Sequence, residues 1–133
     1  MPRSSFEKSV ETRERIIDAA YRLFIENGYS ATSMRDIGKH AGVTVGAIYN
    51  HFATKESIWQ EVLIERHPYH EIISVIKAAQ GETVAELAHS AASGLVQTLL
   101  KRPDLLNLMF VEIVEFNARH IPDLYRIIVP DVI

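Results

Sequence analysis

The side chains able to do chemistry here are six histidines, the carboxylates and the hydroxyls, because the chain contains no cysteine. Disulfides, thiolate zinc sites and cysteine nucleophiles are thereby excluded. His67 and His70 stand three apart, a spacing that can place two imidazoles on one helix face as a zinc site requires. Pro68 lies between them and no third ligand is evident, so no metal site is assigned. Glu112 and Glu115 are also three apart. Paired carboxylates can act as acid and base, but no nucleophile or further base accompanies these two. They read instead as the solvated edge of a buried helix, or as a lone polar group in a pocket. No complete catalytic set is present; neither enzyme activity nor a cofactor is expected. A different chemistry is suggested at Lys55, which follows Thr54, a residue suited to cap a helix. A cation in the first turn opposes the helix macrodipole, typically by about 0.3–1 kcal/mol. A phosphate at that terminus would be held by the backbone N–H groups and the ammonium together.

The elements that position these residues all carry helical periodicity. Residues 12–27 place Ile16, Ile17, Ala20, Leu23 and Phe24 on one face, and Asn27-Gly28 is a stop signal. Ser33-x-x-Asp36 has capping-box spacing and opens a short helix that ends near Ala41-Gly42. Thr44 caps a third helix reaching about His51, and Thr54 a fourth over residues 55–67, closed by Pro68. From there the segments grow more apolar. Residues 69–79 are amphipathic. Thr83-x-x-Glu86 opens a helix with the stripe Leu87, Ala88, Ala91, Ala92, Leu95, Val96, Leu99 and Leu100. Residues 105–117 are apolar on nearly all sides, which predicts burial between other helices. Ile121-Pro122 begins a last segment, which Pro130 is expected to end. The fold class expected is all-α.

Composition agrees with a folded protein: 47% of residues are hydrophobic and 23% charged. The polar residues 1–11 lack a signal peptide's apolar core, and the run 105–114 is too short to span a bilayer, so a cytoplasmic protein is expected. The formal net charge is −3, unevenly placed. Residues 1–60 carry eight Lys/Arg against seven Asp/Glu, whereas residues 61–133 carry six against ten. Binding to phosphates needs local cations rather than a basic whole, so this distribution permits it.

Residues 33–41 and 44–51, joined by a Gly-containing turn, have the size of a helix-turn-helix. Its buried points are Met34, Ile37, Ala41, Val43 and Ile48, with Phe52 closing the unit on the first helix. The stretches TSMRDIG (32–38), AGVTVGAIYNHF (41–52) and TKE (54–56) resemble the DNA-binding signature of the bacterial tetracycline-repressor (TetR) family. The first helix, ending Phe24-x-x-x-Gly28-Tyr29, fits the same family, and the resemblance covers about residues 10–65. Gly38 stands where the family usually has Ala, and glycine inside a helix costs about 1 kcal/mol. Val45 stands where many relatives carry a polar residue.

The resemblance and the physics then assign roles together. Thr44, Val45 and Ala47 lie at the end of the recognition helix that meets base edges, and Gly46 lets that helix approach closely. Tyr49 and His51 resemble the family's phosphate contacts, Lys55 joins them, and Arg35 reaches the backbone or a base edge. Ser33 and Asn50 complete the expected DNA-binding set. The family also implies a helical regulatory domain with an apolar cavity, for which Met109, Phe110, Glu112, Ile113 and Phe116 are the candidates. The boundaries expected are 1–54 for the DNA-binding domain and 55–133 for the regulatory one. Implied partners are double-stranded DNA carrying an inverted repeat, a small, largely apolar effector, and a second copy of the chain. The end VPDVI (129–133) is apolar without a polar cap, so a fragment or a short regulatory domain is expected, with weakened dimerisation. A helical protein-interaction module, or a metal-dependent helical enzyme, is the alternative.

Overall fold

A computed structural model describes the backbone of residues 4–132 and the side chains of residues 4–127. The described residues form helices α1 (Ser5–Asn27), α2 (Met34–Ala41), α3 (Val45–His51), α4 (Lys55–Arg66), α5 (Tyr69–Lys77), α6 (Val84–Leu100), α7 (Pro103–Phe116) and α8 (Ile121–Val132). No strand occurs among them. The fold is all-α.

Local chemistry starts and stops each helix. Ser33 Oγ accepts from Asp36 N–H at 3.0 Å while Asp36 Oδ2 accepts from Ser33 N–H at 2.9 Å, a complete capping box. Thr83 and Glu86 form another at the start of α6, and Thr44 and Thr54 cap α3 and α4. Helix α1 begins well before the expected residue 12. Ser4 caps it by accepting from Glu7 N–H at 3.1 Å, and residues 5–10 are exposed. Capping and helix propensity build those turns without an apolar face, so periodicity could not reveal them. Helix α8 likewise runs past Pro130. Proline removes one N–H bond and bends a helix, but it need not end one. The side chains of the apolar end at 129–133 lie outside the described residues.

One buried cluster joins α1 (Ile16, Ile17, Ala20, Phe24), α2 and α3 (Ile37, Ile48), α4 (Ile58, Trp59, Val62, Leu63) and α7 (Leu105, Leu108, Phe116). It crosses residue 54, so α4 shares one core with the first helix and the short pair. Ion pairs fasten the same joint: Arg13 to Glu61 at 2.8 Å and Glu65 at 3.0 Å, and Arg66 to Asp18 at 3.0 Å. Their exposure limits each pair to a modest contribution, so the apolar cluster dominates.

The second half departs from expectation in burial. Helix α7 is buried along one face only; Leu106, Phe110, Ile113 and Val114 are 57–67% exposed on the other. Its apolarity all round signals two faces able to pack, and α1 and α4 meet one of them. Helix α6 buries no residue fully, and Val96 and Leu100 of its stripe are exposed. Helices α5 and α6 pack mainly on each other. No helix among the described residues is long and apolar enough to cross a membrane.

Candidate nucleic-acid interface

Three features fix the α2–turn–α3 unit. Gly42 takes the left-handed conformation, φ 72°, that closes α2. Val43 N–H donates to Gly38 O at 2.9 Å, folding the turn back on the helix. Arg15 of α1 donates to the Ala41 carbonyl at 2.6 Å, satisfying the C-terminal end of α2. Ile37 and Ile48 are fully buried and join the two helices to α1, while Met34 and Val43 are half-buried at the edge of the core. Asp36 is held below the usual carboxylate range by the hydrogen bond from the Ser33 backbone, so the cap stays charged.

This packing turns one face of α3 outward. Thr44, Gly46, Tyr49 and Asn50 are exposed, and Val45, Ala47 and His51 are half-buried. Ser33 and Arg35 are exposed at the start of α2. Ser33 already serves as the cap, so its hydroxyl is committed to the backbone while its position remains open. Nine of the ten expected DNA-facing residues therefore lie on or beside the surface of the short helix pair.

Lys55 differs in direction. Its ammonium donates to the carbonyls of Tyr29 at 3.0 Å and Thr32 at 2.9 Å, and it stands 4.1 Å from the Tyr29 ring centre. Burial lowers its pKa, and the Glu115 charge partly offsets that. The expected outward phosphate contact is thus redirected. Two carbonyls and a ring face outweigh the unfavourable helix terminus, and the side chain clamps the loop at residues 28–33 onto α4.

Two glycines separate an internal requirement from an external one. A methyl at Gly38 would lie 2.8 Å from the Val43 carbonyl oxygen and 3.4 Å from Ile48 Cδ1, so the close helix–turn contact leaves no room for it. That explains the departure from Ala, which sequence alone showed only as a propensity cost. A methyl at Gly46 would meet only Thr44 Oγ1, at 3.9 Å, an ordinary contact. No contact among the described residues requires Gly46.

The expected ligand residues fall on opposite sides of α7. Phe110 and Ile113 are exposed and Met109 is half-buried, whereas Glu112 and Phe116 are buried against α4. Phe116 stacks on Trp59 at 5.8 Å and meets the edge of Tyr29 at 4.6 Å. Glu112 accepts from Trp59 Nε1 at 2.8 Å and faces His120 Nδ1 at 2.8 Å. This buried group, completed by Glu56 and Arg119, is the feature that sequence reading missed. A carboxylate inside the otherwise uncharged run 105–114 was its only signal, because the partners come from distant segments. Among the described residues no three His, Asp or Glu side chains are placed to hold a metal ion, and His67 and His70 flank Tyr69 in an aromatic stack.

Comparison with known proteins bears on the same region. The sequence model of bacterial regulatory proteins of the tetR family matches residues 16–62. Over 62 residues the chain is 47% identical to the HTH-type transcriptional regulator AcrR of Shigella flexneri, covering 47% of this chain and 29% of AcrR. It therefore spans less than half of that relative's length. Its fold is similar to a transcriptional regulator of the TerR/AcrR family from Aquifex aeolicus, at TM-score 0.58 and 30% identity, covering 86% of this chain and 67% of that one. It is also similar to NalD, the secondary repressor of the MexAB-OprM multidrug efflux pump in Pseudomonas aeruginosa, at TM-score 0.58 and 30% identity, covering 80% and 53%. The matched segment contains part of α1, the whole of α2, the turn and α3, and most of α4, so it includes the exposed helix pair. The chain belongs to the TetR family of bacterial regulatory proteins.

Proposed function

We propose that the chain acts as a sequence-specific transcriptional repressor that binds an inverted-repeat operator as a homodimer and responds to a small, largely apolar effector. The observation that carries this reading is Gly46. Glycine in a helix is unfavourable relative to alanine, and no contact among the described residues demands it here. Its value lies outside the chain, where a missing side chain lets α3 sit deep in a major groove. Thr44, Val45 and Ala47 then face base edges, with Val45 or Ala47 suited to a thymine methyl. Tyr49, Asn50 and His51 face the sugar–phosphate backbone, and Arg35 reaches it from α2. Ser33 lies beside that contact and supports it by holding the start of α2. Lys55 contributes by holding the loop that leads into α2.

One recognition helix reads only a few base pairs, which favours two half-sites and a dimer. NalD is itself a repressor, which supports repression as the outcome of binding. The effector's point of entry is the apolar side of α7 carrying Met109, Phe110 and Ile113. Glu112 and Phe116, on the opposite side, would respond to it through the core rather than by touching it. The reading places the protein in the cytoplasm and assigns it no reaction. Selection of bound duplexes from a random pool tests it. A near-palindrome bound by two chains is expected, and an asymmetric half-site bound by one chain would overturn the dimeric reading.

A further inference from the structure

Glu112 is fully buried, and donors surround it. Its Oε1 accepts from Trp59 Nε1 and faces His120 Nδ1, both at 2.8 Å, while its Oε2 accepts from the His120 backbone N–H at 3.0 Å. His120 Nε2 lies 2.8 Å from Glu56 Oε1, to which Arg119 Nε also donates at 3.0 Å. Burial acts to raise the Glu56 pKa, but the hydrogen bonds from His120 and Arg119 outweigh it and hold the carboxyl below its usual value. A buried carboxyl group held by Trp59 Nε1 and the His120 backbone N–H is stable in one geometry and costly in any that loses a donor. Such a group lets go as a unit.

The corner beside it is strained. Asn117 and Ala118 have φ of 51° and 60°, the left-handed region. Asn visits that region readily, but for Ala it costs roughly 1–2 kcal/mol. Glu112 holds the corner twice: its carbonyl accepts from Ala118 N–H at 3.0 Å and its side chain from His120 N–H. The same end of α7 reaches the DNA-facing unit directly. Ser30 donates to Glu115 Oε2 at 2.7 Å, and Phe116 packs on Tyr29. Lys55 holds the Tyr29 and Thr32 carbonyls from the α4 side. Thr32 immediately precedes Ser33, the cap of α2. The loop at residues 28–33 is thus gripped between α4 and α7.

We infer that Glu112 and His120 are positioning residues that couple the α7–α8 corner to the α2–α3 pair through this loop. The coupling runs through direct contact of α7 with the loop, so it does not require α4 to move. Its regulatory meaning rests on the proposed function above; the physical link does not. Opening of the corner relieves its strain, withdraws Glu115 and Phe116, and loosens the loop that presents the α2 cap.

Amide hydrogen exchange on the full chain without DNA tests the link. The probes are the amides of Thr32, bonded to Tyr29 O, and Ile37, bonded to Ser33 O. In Glu112→Gln both should exchange about tenfold faster, the size of one lost hydrogen bond at a buried polar group. That increase should exceed any change at Leu23 and Phe24 in the core of α1. Equal acceleration at all four sites, or unchanged exchange at Thr32 and Ile37, would overturn the inference. Should Glu112→Gln fail to fold, Glu115→Gln, which removes the Ser30 contact and the charge that Lys55 feels, decides in the same way on a smaller acceleration. A wild-type chain that binds no duplex DNA would count against the proposed function and leave the exchange result standing, so the two failures are distinguishable.

Discussion

Lys55 and Glu56 are neighbours in the first turn of α4 and hold opposite halves of the protein. The Lys55 ammonium grips the Tyr29 and Thr32 carbonyls of the loop before α2. The Glu56 carboxylate grips Arg119 and His120 at the α7–α8 corner. Helix α4 therefore fastens the loop before α2 and the α7–α8 corner at a single turn, and the hydrophobic residues behind it, Ile58, Trp59 and Val62, lock that turn in place.

Removing the Lys55 clamp separates structure from direct contact. Lys55→Ala is expected to lower unfolding stability by about 1–2 kcal/mol, the scale of lost charge-assisted hydrogen bonds at a partly exposed site. Binding to operator and random duplexes should weaken alike, because the loop leading to α2 is loosened. The slope of log affinity against log salt should stay within half a unit of wild type. A slope reduced by about one unit per chain, with stability intact, would restore Lys55 as a phosphate contact.

Gly46 predicts the reverse combination. Gly46→Ala should raise stability by up to about 1 kcal/mol, since alanine is the better helix former and its methyl meets no obstacle among the described residues. Affinity for the selected duplex should nevertheless fall at least about tenfold, because the methyl stands between α3 and the groove. Urea unfolding and equilibrium binding on one preparation measure both. Unchanged affinity would mean that α3 does not approach DNA at this position.

The helix-turn-helix was largely legible in the sequence because its determinants are local. Ser33, Thr44 and Thr54 cap helices through residues three positions away, and Gly42 closes α2 by its own backbone. Such signals survive without knowledge of the fold. The second half was less legible. The apolar residues of α7 gave no indication of which face meets α4, and Glu112 stood as a lone charge. Its partners lie eight residues on at His120 and more than fifty back at Trp59, so only tertiary packing brings them together. Lys55 was read by its place on a helix, and a pair of carbonyls on another segment decided its direction instead.

The contacts of Asp104 predict an acid-side dependence. Its pKa is lowered to about 2, chiefly by the hydrogen bonds from Arg102, with Tyr21 adding to the effect. A carboxyl in the unfolded chain titrates near about 3.9. The stabilisation is therefore fully present above about pH 4 and is lost as pH falls toward about 2. Asp104→Asn should be less stable than wild type at neutral pH, and the difference should shrink through that window. A constant difference from pH 6 to pH 2.5, followed by urea unfolding, would show that the Asp104 charge is not what the contact uses.

The central claim is that the exposed face of α3 reads base edges, and Val45→Arg tests it most directly. Wild type and variant should each be used to select bound sequences from a random duplex pool under identical salt. An arginine at this place can pair with the O6 and N7 acceptors of guanine, so the variant's selected sites should gain a G·C pair at one symmetric position in each half-site. Affinity for non-specific DNA should change far less than the base preference. Identical preferred sequences for wild type and variant, with both proteins folded and both bound to DNA, would contradict the account.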